Sequence, residues 1–309
     1  MERLKALLEA GVVTYSDGKF SLTPLGEARA ASLLPRKDVR CPHCQGGYTF
    51  SVFSEAFALY HRLVEGRPLP NLDYDQGFMT ESDVFSRVAF LYERGDLEGQ
   101  DILILGDDDL LSLALASTGL PRSITVLEVD QRIVEFITKR AKEYDLGITA
   151  LEYNAASPYP LKDHAFSVFI TDPVESEKGL RITLSRGAQA LERGGALYFG
   201  LTTIESSWHK WYSVERMLLE MGFVVTDILR RFSAYPDSDN HFDEEFYDRT
   251  MMRRLMDVAF PLPADADWFR SSFIRCEAVE EPRPLVVGEV VFDTDFYLDE
   301  ETMATPKFV

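Results

Sequence analysis

Cysteine is scarce, with three in 309 residues. That excludes a disulfide framework as the source of stability and makes the reducing cytoplasm the expected setting. Long apolar runs are missing too. None approaches the roughly 20 residues of a membrane span, and the start lacks the basic-then-apolar pattern of a signal peptide. Positive charge is the third deficit: 32 Lys and Arg stand against 51 Asp and Glu, for a formal net charge of −19. A broad nucleic-acid surface needs clustered Lys and Arg, so this balance argues against one. It suits cationic small molecules, which an acidic protein steers inward, and it equally suits plain solubility. What remains is ordinary globular material, 46% apolar and 27% charged, long enough for one large domain or two smaller ones.

The most informative shortage is local. Residues 101–115 read DILILGDDDLLSLAL, an apolar strand over 102–105, a tight turn at Gly106 and a helix from Leu110 onward. In a parallel α/β sheet this turn is where a nucleotide ligand sits, and a pyrophosphate binder lines it with glycine. Here it carries Asp107, Asp108 and Asp109, which repel phosphate and attract a cation. A nicotinamide-dependent dehydrogenase is excluded on that ground.

The remainder of the chain supplies the sheet. Strand patterns at 123–129, 148–153, 165–171, 196–201 and 223–229 alternate with helical patterns at 131–144, 177–192 and 207–221. The expected fold is α/β, a Rossmann-like, methyltransferase-type, mostly parallel sheet with helices on both faces, over residues 96–280. Before it, residues 1–50 read as a small winged-helix-like domain. A helix is followed by strands at 12–15 and 19–22 around an Asp17-Gly18 turn, then by a helix capped by Thr23 and opened by Pro24. Its few basic residues favour a docking or dimerisation module over a DNA binder. Helices at 50–64 and 82–92 form a linker over 51–95, joined by the loop PNLDYDQGFMT. Cys41-Pro42-His43-Cys44 offers half of a zinc site with no second half, and reads as a lost site or free thiols.

Ligands in such sheets lie beyond the C-terminal strand ends. At the second end, Glu128 or Asp130 is placed to accept hydrogen bonds from a ribose diol. At the third, Asn154 is placed against an adenine edge. This is the pattern of S-adenosylmethionine enzymes. The fourth end presents Asp172-Pro173-Val174-Glu175, where Asp172 would orient an incoming amine and take its proton during attack on a sulfonium carbon. The plainer alternative is that Asp172 caps the next helix. S-adenosylmethionine carries a carboxylate on its tail, whereas its decarboxylated form carries only an ammonium. One carboxylate–ammonium contact at about 4 Å is worth on the order of 4 kcal/mol at an effective dielectric near 20, before desolvation. The three aspartates therefore point to aminopropyl transfer rather than methylation.

GDDDLLSLAL, the DQG-x-x-T loop of residues 75–80 and the Asp172 to Glu175 element together resemble the branched-chain polyamine synthases, the N(4)-bis(aminopropyl)spermidine synthase family of thermophilic archaea and bacteria. The resemblance runs over most of the chain. It implies transfer of aminopropyl groups from decarboxylated S-adenosylmethionine, as co-substrate, to the secondary amine of spermidine, with no further cofactor and no metal. By position it implies Asp172 as the catalytic group. Glu175, Pro173, Asp75, Gln76, Asp108 and Asp109 would face the polyamine; Gly106, Asp107, Asp108, Glu128, Asp130 and Asn154 would face the donor. A cytoplasmic homodimer acting on small molecules, with neither nucleic acid nor membrane as partner, completes the expectation. One departure is Val174, where the family carries a second proline.

Toward the C-terminus, residues 237–245 are strongly acidic, a solvated face or a site where Asp243, Glu244 or Glu245 binds a distal ammonium. A helix is expected over 246–258 and a last strand from Trp268 to residue 279. The acidic tail, 281–309, is expected to be mobile and placed to cover the site. Two rivals stand beside the aminopropyltransferase. One is an S-adenosylmethionine-dependent methyltransferase acting on RNA or an amine, and the other a winged-helix regulator that senses a polyamine or nucleoside.

Overall fold

In the computed structural model, which describes residues 2–16, 19–31, 38–43, 47–236, 269–302 and 304, the apolar run after Asp101 is strand β3 (Asp101–Leu105) of a seven-stranded sheet. Its side chains part to two faces. Ile102 and Ile104 enter one core, and Leu103 enters the other with Leu105. A strand apolar on both sides needs cover on both sides, and helices supply it. On the first face lie α3 (Ser54–Leu63), α4 (Glu81–Arg94), α5 (Leu111–Ser117) and α6 (Gln131–Tyr144). On the second lie α7 (Glu177–Ala190) and α8 (Trp208–Glu220).

The remaining strands are β4 (Ser123–Glu128), β5 (Ile148–Glu152), β6 (Phe166–Thr171), β7 (Leu191–Thr202), β8 (Phe223–Ala234) and β9 (Arg270–Ala278). Their order across the sheet is β5-β4-β3-β6-β7-β9-β8. The first five are parallel, and β9 inserts antiparallel between β7 and β8. β3 and β6 are therefore neighbours, which brings the acidic turn after β3 beside Asp172 after β6. Strand β8 runs farther than the pattern over 223–229. Its pairing slips between Leu229 and Ser233, with Arg231 at φ 53°, and the slip re-aims the last residues inward. Ser233 is consequently fully buried.

The chain divides into two compact units, Met1–Asp38 and Val39–Val309. The first contains α1 (Glu2–Glu9), the antiparallel pair β1 (Val13–Ser16) and β2 (Lys19–Leu22), and α2 (Pro24–Ala30). Thr23 caps α2 by accepting from the Gly26 amide at 3.1 Å, as its position before Pro24 predicts. The division falls ahead of the boundary expected at residue 50. Val39 is buried in the core of the larger unit, and Arg40 forms an ion pair with Glu93 of α4. Residues 51–95, expected as linker, carry Tyr60, Phe85 and Phe90 into that core.

In the tail, helix α9 (Thr294–Tyr297) buries Phe296 and Asp299 bonds Lys210, while Val287 and Val291 are exposed. Cys41 is a half-buried free thiol. The Asp17-Gly18 turn, Cys44, the acidic run with Asp243, Glu244 and Glu245, the helix expected over 246–258 and Trp268 lie outside the described residues. Among those described, no helix is long and apolar enough to cross a membrane.

Candidate active site

The acidic turn and the loop before α4 form one construction. Gly106 takes φ 74° at the end of β3, a conformation glycine adopts without cost. The Gly77 amide then donates to Asp108 Oδ2 at 2.9 Å, and the Met79 amide donates to Asp109 Oδ1 at 2.6 Å. The turn's carbonyls are held from behind, that of Asp108 by Arg67 and that of Asp109 by the Tyr60 hydroxyl. Loop amides thus hold both carboxylates in place, which explains why GDDD and DQG-x-x-T occur in one sequence. Burial pushes Asp109 up to about 7, helped by the charge of Asp172 and opposed by Arg87. Asp108 is raised well above the usual carboxylate range by burial and by Asp109 beside it.

Asp107 differs from its neighbours. Its carboxylate accepts from the Ser112 amide at 3.2 and 3.3 Å and so closes the first turn of α5. It lines neither cavity described below. Burial pushes it up to about 8, against the Ser112 hydrogen bonds.

Asp108 and Asp109 line an open cavity together with Asp75, Asp172, Glu175 and Glu205. Six carboxyl-bearing residues around one cavity suit a polycation. Asp172 is fixed from two sides. Arg87 of α4, buried among apolar neighbours, donates through Nη1 to Oδ2 at 2.7 Å and through Nη2 to Oδ1 at 3.3 Å, and the Tyr235 hydroxyl donates to Oδ2 at 3.1 Å. On the other side lies Gly200 of β7, where an added Cβ would stand 2.1 Å from Oδ1. Glu175 accepts from the Thr202 amide at 2.6 Å, the Thr202 hydroxyl at 3.0 Å and Ser206 at 2.8 Å. Burial outweighs those donors and pushes Glu175 up to about 7.

A second cavity adjoins the first, and Asp172 and Pro173 line both. Gly106, Glu128 and Asn154 belong to this one. Glu128 accepts from the amides of Asp107 at 2.7 Å and Asp130 at 2.9 Å, while burial raises its carboxyl. That leaves a fixed, buried acid facing the cavity, an acceptor for a diol. Tyr74 from the loop and Phe292, Phe296 and Tyr297 from the tail contribute aromatic walls. Phe292 stacks on Phe296 at 3.6 Å, and Ser176 bonds the Phe296 carbonyl. Buried Lys210 ties the tail to the acidic cavity: its Nζ donates to the carbonyls of Glu175 and Glu205 and to Asp299.

Asp172, Pro173, Glu175, Asp75, Gln76, Asp108 and Asp109 come together on one cavity, and Gly106, Glu128 and Asn154 on the other. Asp107 and Asp130 join neither. Asp130 caps α6 through the Arg132 amide at 2.9 Å and pairs with the Arg132 side chain. Burial pushes its carboxyl up, but Arg132 and Gln76 more than offset this and hold it below its ordinary value. Gln76 reaches the cavity wall with both ends engaged, accepting from the Asn71 amide at 2.8 Å and donating to Asp130 at 3.1 Å. The alternative that Asp172 caps α7 does not hold, since Ser176 is that cap. Arg87, Gly200, Glu205 and Tyr235 were not anticipated. Only Arg87 left a trace, as a lone charge in the apolar run of α4.

The family model described as the branched-chain polyamine synthase A C-terminal domain matches residues 55–304. An N(4)-bis(aminopropyl)spermidine synthase of Thermococcus kodakarensis is 34% identical over 307 residues, 97% of this chain and 85% of its own length. The crystal structure of the branched-chain polyamine synthase from Thermus thermophilus in complex with N4-aminopropylspermidine and 5'-methylthioadenosine is 32% identical, with a TM-score of 0.76 across 97% of this chain and 83% of that one. A putative RNA methyltransferase from Pyrococcus horikoshii, 17% identical, has a TM-score of 0.52 over 72% of this chain and 97% of its own, a likeness of fold alone.

Proposed function

The chain belongs to the branched-chain polyamine synthase family, and from that premise we propose how its two cavities carry out aminopropyl transfer. Decarboxylated S-adenosylmethionine occupies the cavity of Glu128 and Phe296, with its ribose diol on Glu128. Spermidine occupies the acidic cavity, with its secondary amine at the wall. The observation that carries this reading is that wall, Asp172-Pro173, shared by a cavity whose charged lining residues are all acidic and a cavity with aromatic walls. A methyl donor's carboxylate would meet Asp108 across the wall, whereas the ammonium of the decarboxylated donor pairs with it and leaves Asp109 to the acceptor amine.

In the reaction the amine nitrogen forms a bond to the donor's aminopropyl carbon as the carbon–sulfur bond breaks. The electron pair goes to sulfur, and the leaving group is 5'-methylthioadenosine, the compound bound in the Thermus thermophilus relative. Protonated spermidine must first lose a proton from the attacking nitrogen. Asp172 already accepts from Arg87 and Tyr235, so proton acceptance falls to Asp109, whose carboxyl is pushed up to about 7 by burial and by Asp172. Asp172 orients the amine and faces the positive charge passing from sulfur to nitrogen. Once deprotonated, the tertiary product attacks a second donor and becomes a quaternary ammonium. The three cysteines fit a cytoplasmic setting, and the remaining parts of the reading are a homodimer and no partner beyond these two small molecules.

Mass spectrometry after incubation with spermidine and decarboxylated donor tests the reading. Species heavier by one and by two aminopropyl groups are expected; methylated product from S-adenosylmethionine, with none from the decarboxylated donor, would overturn it. The roof has its own test. Phe296→Ala removes an aromatic wall worth about 0.5–1.5 kcal/mol beyond its area, so calorimetry should show 5'-methylthioadenosine binding weakened on the order of tenfold, with spermidine binding little changed.

A further inference from the structure

Arg87 is 1% exposed, on a helix whose neighbouring side chains Val84, Phe85, Val88 and Phe90 are all in the core. All three of its nitrogens have partners. Nε reaches Ser233 at 3.0 Å, Nη1 and Nη2 fork onto Asp172, and Nη2 also reaches the Tyr235 hydroxyl at 3.4 Å. The guanidinium carbon lies 4.3 Å from the centre of the Phe273 ring. The slip in β8 that buries Ser233 is what brings that hydroxyl to Nε. A buried arginine needs a carboxylate, and Asp172 is the partner it has. The pair is lopsided: the Arg87 side chain is 2% exposed and that of Asp172 is 25% exposed, so one end is sealed in the core and the other faces both cavities.

We propose that Arg87 is a positioning residue for the transfer, holding the Asp172 carboxylate from beneath so that it faces both cavities, while Gly200 leaves room for it above. This rests on the function proposed for the two cavities. A fork fixes a carboxylate in plane as well as in distance, which a lysine does not. The ionisable and charged groups facing Asp172 are Arg87 from α4, Tyr235 from the end of β8, and Asp108 and Asp109 from the turn after β3. Arg87 is the cation of this group, so together with Arg67 from the segment after α3 it also favours the ionised form of Asp109. Positioning and charge therefore separate by substitution.

Arg87→Lys keeps the cation and loses the fork. Its kcat should fall by roughly 10- to 100-fold, with the donor's KM little changed and the acid limb of the pH profile where wild type has it. Arg87→Gln loses the cation too, and its acid limb should move to higher pH by about a unit or more. Wild-type kcat in Arg87→Lys, or an unmoved limb in Arg87→Gln, overturns the proposal, because a purely structural arginine would cost rate without moving the limb. Gly200→Ala reaches Asp172 from the opposite side and does not depend on a buried arginine folding. It should show the same fall in kcat with an unmoved limb, and full activity there also overturns the proposal. Wild-type protein that makes no aminopropylated product would instead remove the proposed function, a distinguishable failure.

Discussion

Asp172→Asn is expected to lower kcat for aminopropyl transfer by about 10²- to 10³-fold, and to lower the melting temperature as a separate effect. The catalytic loss follows from the place of Asp172 on both cavities. Charge leaves the donor's sulfur and appears on the acceptor's nitrogen within reach of this one carboxylate, and an amide cannot balance it. The stability loss follows from what lies behind. With an amide in place of the carboxylate, the Arg87 guanidinium is left in the core without an anion. Breaking one side of a buried pair costs roughly 3–5 kcal/mol, a fall in melting temperature on the order of 10 °C or more. Asp172→Asn with Arg87→Met removes both charges, so most of the lost stability should return while kcat stays low. Calorimetric melting of the three proteins beside their steady-state rates checks this. Recovery of rate along with stability would show that the single variant was slow only because it was loose.

The sheet was legible because strand residues on both faces are apolar and turn residues interrupt them. The patterns at 123–129, 148–153 and 165–171 match β4, β5 and β6 to within a residue or two at their ends. Less legible was how each acid spends its oxygens. Asp107, Asp108 and Asp109 are consecutive and identical in composition, yet one closes α5 while two face a cavity. The difference is made by amides of residues 77 and 79, and spacing along the turn does not show it. Glu128 and Asp130 divide in the same way: Glu128 holds two amides at the cavity and Asp130 caps α6. Arg87, Gly200 and Tyr235 reach Asp172 from α4, β7 and the end of β8. Such convergence is a property of strand order and of a pairing slip, neither of which a single sequence displays. In the tail, spacing likewise does not show which acids find partners: Asp299 and Asp293 pair with Lys210 and Lys178.

Asp109→Asn should reduce kcat by about 10²- to 10⁴-fold, the range for loss of a positioned general base, and should abolish the acid limb of the pH profile. The sign is set by the carboxyl's role: it accepts the amine's proton only when ionised. Burial, then the charge of Asp172, pushes it up to about 7. Wild-type kcat should accordingly rise with pH through about 7, as a property of the coupled pair rather than of one group. Asp108→Asn makes the contrast. Removing a negative neighbour favours ionisation of Asp109, so the limb should survive and move to lower pH, opposite to the shift expected for Arg87→Gln. Product formation followed from pH 5.5 to 9 in the three variants separates these outcomes. A wild-type limb persisting in Asp109→Asn would return proton acceptance to Asp172 and leave the acidic turn with binding alone.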